Sequence, residues 1–85
     1  MEYIIEQNRI YAKNESNKIV AKIDFEKMEE KTYNIYHTFV DESLRGHGIA
    51  NELVTRAYKE ITEVRKSKVT ATCGYASKWL EKNKK

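Results

Sequence analysis

Asp41-Glu42-Ser43-Leu44-Arg45-Gly46-His47-Gly48-Ile49-Ala50 is the stretch on which the reading of this chain turns. Before it apolar residues tend to recur at every second position, and after it at every third or fourth. Gly46 and Gly48 are two of only three glycines in the chain, which has no proline. Glycine takes left-handed backbone angles without steric penalty and lets N–H groups come close to a ligand. A helix starting at such a turn adds unpaired N–H donors and the positive end of its dipole. The segment reads as a turn able to wrap a phosphate or pyrophosphate, with Arg45 and His47 as added charge or as solvated side chains. A tight strand-to-helix turn without a ligand uses the same glycines, so the flanking elements have to decide.

Downstream, Ile49, Leu53, Ala57, Ile61 and Val64 recur at spacings of four and three between polar residues, which predicts an amphipathic helix from Gly48 to Val64. Lys68 to Cys73 reads as a short strand. A final helix is expected from Tyr75 to Lys82, burying Tyr75 or Ala76, Trp79 and Leu80. Upstream, Tyr3-Ile4-Ile5 and Arg9 to Lys13 read as strands, and Asn14-Glu15-Ser16-Asn17 as a turn. Lys18 to Phe25 alternates, with Ile19, Ala21, Ile23 and Phe25 on one face and Lys18, Val20, Lys22 and Asp24 on the other. The charged run Glu26 to Lys31 suits an exposed hairpin connection, and Thr32 to Val40 is a β-branched and aromatic strand. The expected architecture is α+β: a four-stranded antiparallel meander, a crossover helix, a parallel fifth strand and a C-terminal helix. Ligands gather beyond the carboxyl ends of parallel strands, here Phe39-Val40 and Thr72-Cys73.

With those elements around it, Arg45-x-x-Gly48-x-Ala50 resembles the Arg/Gln-x-x-Gly-x-Gly/Ala signature of the GNAT superfamily of N-acetyltransferases. The chain is most similar to its minimal, short subfamily, through His37-Thr38-Phe39-Val40, the loop from Arg45 to Ala50, and Cys73-Gly74-Tyr75. The resemblance is firm over residues 37–80 and holds in outline over 9–25. It implies a GNAT-like mixed sheet and a cosubstrate, acetyl-CoA. The backbone at Phe39 and Val40 would pair with the pantetheine arm. Arg45, Gly46, His47, Gly48, Ile49 and Ala50 would hold the pyrophosphate. A gap where the fourth and fifth strands splay apart would admit the thioester, and Ser77 and Lys78 would flank the coenzyme. Three departures stand out: Phe39 where many relatives carry Glu, Gly74 in place of a common Pro, and no room for the usual amino-terminal helices.

Cys73 and His37 are the candidate catalytic groups. A thiol at a helix amino terminus tends to a lowered pKa, which suits a nucleophile that takes the acetyl group or an acid that reprotonates the departing CoA. Its plain alternative is a small buried hydrophobe. Alternation puts His37 on the side of Ile35 and Phe39 and Thr38 on the other. An imidazole titrates near neutral pH and suits a general base, though a satisfied histidine under the sheet is equally compatible.

Other function classes fare worse. The spacing of Cys73, His37 and His47 matches no structural zinc pattern, and no metal is expected. The aromatic set Tyr3, Tyr11, Phe25, Tyr33, Tyr36 and Phe39 is what strands of a small domain need for a core, so a nucleic-acid stacking platform is not expected. The net charge of +3 arises in part from Lys82-Asn83-Lys84-Lys85, read as a frayed tail. A single cysteine and the absence of an evident leader or membrane span point to the cytoplasm. Residues 1–85 are expected to form one domain, burying roughly 60% of its unfolded surface. CoA or acetyl-CoA and an unidentified amine are the expected partners of an N-acetyltransferase, monomeric or weakly dimeric through an exposed sheet edge. The alternative is a module that binds or senses CoA without turnover.

Overall fold

A computed structural model describes residues 2–83. Strands β1 (Tyr3–Ile5), β2 (Arg9–Lys13), β3 (Ile19–Glu29) and β4 (Thr32–Val40) form an antiparallel meander. Helix α1 (Ile49–Lys59) crosses to β5 (Lys68–Ala71), which lies parallel to β4, and α2 (Gly74–Asn83) follows. Strand order in the single mixed sheet is β1-β2-β3-β4-β5, the architecture expected from the sequence. Lys82 and Asn83 of the expected frayed tail are helical; Lys84 and Lys85 lie outside the described residues.

One face of the sheet carries Ile10, Ala12, Ala21, Ile23, Phe25 and Ile35, packed against Leu53, Val54, Ala57 and Ile61 of the long helical segment and Ala76 of α2. Full burial of each large aliphatic or aromatic side chain contributes about 1.5–3 kcal/mol, so this one cluster carries most of the favourable packing of so small a chain.

The turns form for local reasons. Asn14 Oδ1 accepts from the N–H groups of Ser16 and Lys18, which closes the β2–β3 turn, with Asn17 left-handed at φ 66°. The β3–β4 hairpin is tighter than the charge pattern suggests. Residues 26–29 are strand rather than connection, and the turn is confined to Glu30 and Lys31. Residues 26–31 are all exposed, which suits their mostly charged side chains.

Three further features are ones that period counting cannot register. Val20, which alternation puts with the lysines, is buried outside the core cluster, where the β2–β3 ladder shifts between Ala12 and Lys13. Asp24 is buried as well, because Arg9 Nε at 2.6 Å and Lys22 Nζ at 3.4 Å satisfy its carboxylate. The helix runs past Lys59, but residues Glu60–Val64 wind as a π-helix, with Arg65 N–H donating to Glu60 O. That wider turn rotates Val64 off the apolar face, leaving it 69% exposed. Arg65 anchors the segment: its guanidinium bonds Glu60 Oε2 at 3.0 Å and the carbonyls of Gln7 and Glu6 at 2.7 and 3.0 Å. It also lies over the rings of Phe25 and Tyr33.

Candidate functional site

The irregularity that matters most for function is in β4. Ile23 faces Thr38 and Asp24 faces His37, but Phe25 faces Ile35, so Tyr36 is an extra residue in the ladder. Such a bulge reverses the alternation beyond it and bends the strand. Thr38 consequently shares the helix-covered face with Ile35, and His37 shares the opposite, open face with Asp24. This corrects the expected placement of His37 beside Ile35. Pairing of β4 with β5 ends at Ile35 and Ala71, where Ile35 O accepts from both Thr72 and Cys73. From Tyr36 onward β4 runs on past the end of β5 at Ala71 without a ladder partner, which leaves an unpaired gap along that edge.

Backbone groups line one side of that gap. Asp41 N–H donates to Val20 O on β3. Because strand groups alternate in direction, Phe39 also turns its N–H and C=O toward β3, while Thr38 and Val40 face the gap. Of the expected strand-end pair, Val40 has its backbone free on that edge and Phe39 offers an exposed ring on the open face.

Cys73 closes the gap from the other side. It caps α2, its carbonyl accepting from Ser77 N–H at 2.8 Å. Its Sγ lies 3.4 Å from Thr38 Oγ1. Burial pushes the thiol pKa up, but the Thr38 hydroxyl and the N–H groups of Ala76, Tyr75 and Thr38 favour the thiolate, and the net shift is downward. Thr38→Val removes the hydroxyl at nearly constant volume. It is expected to raise the Cys73 pKa and slow alkylation by iodoacetamide at pH 7 several-fold, as read from the pH dependence of the alkylation rate. His37 is exposed and makes no hydrogen bond with Cys73, so these two expected groups flank the gap from different faces.

The glycine loop sits at the same end of the sheet. Asp41 accepts from Ser43 N–H at 3.1 Å and Ser43 Oγ at 2.6 Å, which holds a 3-10 turn over Glu42–Leu44 and keeps the Asp41 carboxyl below its usual range. The chain then passes through Gly46 at φ 87° and Gly48 at φ 72°, both left-handed, and Gly48 is the N-cap of α1. A cleft of about 140 Å³ is lined here by Val40, Leu44, Arg45, Gly46, Gly48, Ile49, Ala50, Asn51 and Tyr75. His47 is exposed and lies outside that lining, as does Ser77. Lys78 lines an adjoining cleft of about 250 Å³ with Asn51, Tyr75, Trp79, Lys82 and Asn83.

Thr38 and Tyr75 enter the sequence reading only as members of motifs and Asn51 not at all, so none of the three stands among the expected site residues. Thr38 is hidden by the bulge, which no periodicity reveals; Tyr75, next to Cys73 at the start of a helix, carried the better signal. A larger cleft, of about 540 Å³, opens beside Thr32, Lys68 and Val69 at the opposite ends of β4 and β5. It contains neither the thiol nor the glycines, so its size does not make it the site. Among the described residues no group of three His, Cys, Asp or Glu side chains could hold a metal ion. No described helix is long and apolar enough to cross a membrane.

A family model described as GCN5-related N-acetyl-transferase matches residues 9–85. Among solved structures, a GCN5-like N-acetyltransferase candidate from Staphylococcus aureus is 28% identical, with a TM-score of 0.76 over 95% of this chain and 78% of its own. An acetyltransferase candidate from Pyrococcus furiosus is 24% identical, with a TM-score of 0.66 over 91% of this chain and 57% of its own. A GNAT family N-acetyltransferase from Escherichia coli, solved in complex with CoA, is 20% identical, with a TM-score of 0.59 over 66% of this chain and 34% of its own. In those last two cases the likeness is one of fold, and the chain spans less than two thirds of each protein. No curated protein matches the sequence.

Proposed function

Since this chain belongs to the GCN5-related N-acetyltransferase family, we propose that it binds acetyl-CoA at the carboxyl ends of β4 and β5 and transfers the acetyl group to an amine by way of Cys73. The observation that carries this reading is the convergence, at one end of the sheet, of an unpaired β4 edge beyond β5, a thiol with a lowered pKa, and two left-handed glycines at a helix start. The CoA in the Escherichia coli protein of the same fold supports it further.

The roles follow from chemistry. The pyrophosphate accepts hydrogen bonds from the N–H groups of the loop between Arg45 and Ala50 and is favoured by the α1 dipole. The pantetheine amides pair with the backbone edge of β4 at Val40 as an added strand, while the Thr38 N–H stays on the Cys73 sulfur, which brings the thioester to Cys73. The Cys73 thiolate attacks the carbonyl carbon, an acetyl–sulfur bond forms on the protein, and CoA leaves as its thiolate. The amine then attacks the acetyl–Cys73 thioester and expels the Cys73 thiolate, stabilised again by the Thr38 hydroxyl. The amine proton passes to His37, directly or through water, on the open face of the sheet. Ser77 and Lys78 on α2 flank the coenzyme.

A second reading, CoA binding without turnover, is favoured by one observation: Phe39 places an exposed ring, not a carboxylate, at the strand end. Mixing the protein with acetyl-CoA separates the two. Intact-mass measurement with peptide mapping is expected to find one acetyl group on Cys73, with free CoA released continuously once amines are supplied. CoA bound without acetyl-Cys73 and without release would leave only the binding module.

A further inference from the structure

We infer that the acetyl acceptor is an amine carrying an anionic group several bonds away, held on the open face of the sheet with its anion on Lys22 and Arg9 and its amine reaching past His37 to the gap. The inference rests on the transfer reading above and names the class of acceptor that it leaves open.

Strand register sets out this face in rows. Tyr11, Lys22 and Phe39 stand opposite one another in one row, and Arg9, Asp24 and His37 in the next. The buried residues of α1 and α2 all join the cluster on the other side of the sheet, so neither helix covers these rows.

Charge is spread unevenly here. Asp24 is the one carboxylate within the two rows, and it is buried, with Arg9 Nε at 2.6 Å from one oxygen and Lys22 Nζ at 3.4 Å from the other. Two cations on one carboxylate leave a positive charge unbalanced. Lys13 adds another beside them, its ammonium 5.7 Å from the centre of the Tyr11 ring. Acidic side chains stand at the margins: Glu26 lies one row farther from the gap, opposite Asn34, and Glu6 lies near Arg9.

Arg9 meets Asp24 through Nε, which leaves its two terminal nitrogens without a partner among the described residues, and its side chain is 38% exposed. A guanidinium edge and an ammonium group braced on one buried carboxylate suit a carboxylate or a phosphate, because both cations are positioned before the anion arrives. The exposed ring of Phe39, next to Lys22, and that of Tyr36 offer apolar cover for a chain joining anion to amine.

Spacing narrows the class further. The cations gather over β3, His37 is on β4, and the gap lies beyond it. Neighbouring strands are about 4.8 Å apart, so anion and amine are separated by roughly 5–10 Å, one to two strand spacings. A carboxylate on the carbon that bears the amine is too close to serve both places, whereas an ω-amino acid or an aminoalkyl phosphate spans them.

Acetyl transfer from acetyl-CoA to n-hexylamine, ε-aminocaproate, aminohexyl phosphate and glycine, read as acetylated product by mass spectrometry, tests the assignment. Unaltered protein is expected to show a kcat/KM about tenfold or more higher for the two long anionic amines than for hexylamine, mostly through KM. Added salt should shrink that preference. The larger gain of the two tells a phosphate-bearing acceptor from a carboxylate-bearing one. In Lys22→Gln the preference is expected to fall several-fold with the hexylamine rate unchanged, and Lys22→Arg should restore it. Hexylamine or glycine used as well as the long anionic amines would overturn the site and leave the transfer reading intact, as would a preference that survives Lys22→Gln. Acetyl-Cys73 that forms but passes its acetyl group to none of these amines would overturn the acceptor site alone. Absence of both acetyl-Cys73 and product would overturn it together with the transfer reading. The comparison of amines on unaltered protein needs no variant to fold.

Discussion

Cys73→Ala is expected to abolish acetylation of the protein and to lower amine acetylation by about 10²–10⁴-fold, the range over which positioned acid, base or nucleophilic groups act. CoA affinity should change little, because the thiol faces the thioester and the phosphates sit on the loop. Cys73→Ser should behave like alanine, since a hydroxyl at that position remains protonated near neutral pH and is a poor nucleophile without a base. The pH profile of the unaltered protein carries the same information. With the Cys73 pKa below its ordinary value of 9.0, the acylation rate should rise with pH and level off below that value, and in Thr38→Val the plateau should move to higher pH. The linkage to stability has a fixed sign. A depressed thiol pKa stabilises the fold at pH above the unfolded value, and that contribution disappears as pH falls through the folded value. Steady-state turnover and intact mass read the first effect, and a pH series of urea unfolding reads the second.

The second large effect is expected in the loop. Gly46→Val and Gly48→Val each force a β-branched residue into the left-handed region, where non-glycine residues cost roughly 1–2 kcal/mol. No atom stands within 4 Å of a Cβ built at either position, so the penalty is backbone strain and not collision. The chain can relieve it by leaving the conformation that aims the N–H groups at a pyrophosphate. The double variant is expected to lose at least about tenfold in CoA affinity, each 1.4 kcal/mol being a factor of ten, while the far-ultraviolet circular dichroism of the sheet and helices is retained. Reactivity of Cys73 toward iodoacetamide should also be retained, because Thr38 and the first turn of α2 set it. A variant that binds CoA normally would detach the loop from the pyrophosphate.

The difference in legibility between these two parts of the site has a physical origin. Gly46 and Gly48 announce themselves because positive φ is a property of the residue, readable one position at a time. The element order was readable for a similar reason: the change from a period of two to a period near four falls at the loop. What escaped was every place where the count slips. The extra residue at Tyr36 reverses the facing of all that follows in β4, so His37 moves to the open face and Thr38 comes to Cys73. Val64 leaves the apolar stripe by the same kind of event, a π-helical turn. Hydrophobic period says nothing about such insertions, because their cost is met by tertiary contacts such as the Arg65 clamp on Glu60, Gln7 and Glu6. Nor does it indicate pairing between helices, such as Asn51 with Trp79, on which the wall of the adjoining cleft depends.

The most direct test of the central claim is a titration of isotopically labelled protein with CoA, followed by backbone amide chemical shifts. Binding at the carboxyl ends of β4 and β5 predicts shifts gathered at residues 38–40, 45–51 and 73–79, saturating together with one dissociation constant. No shifts at millimolar CoA, or shifts gathered around residues 58–62 and 67–70 at the opposite end of the strands, would contradict it.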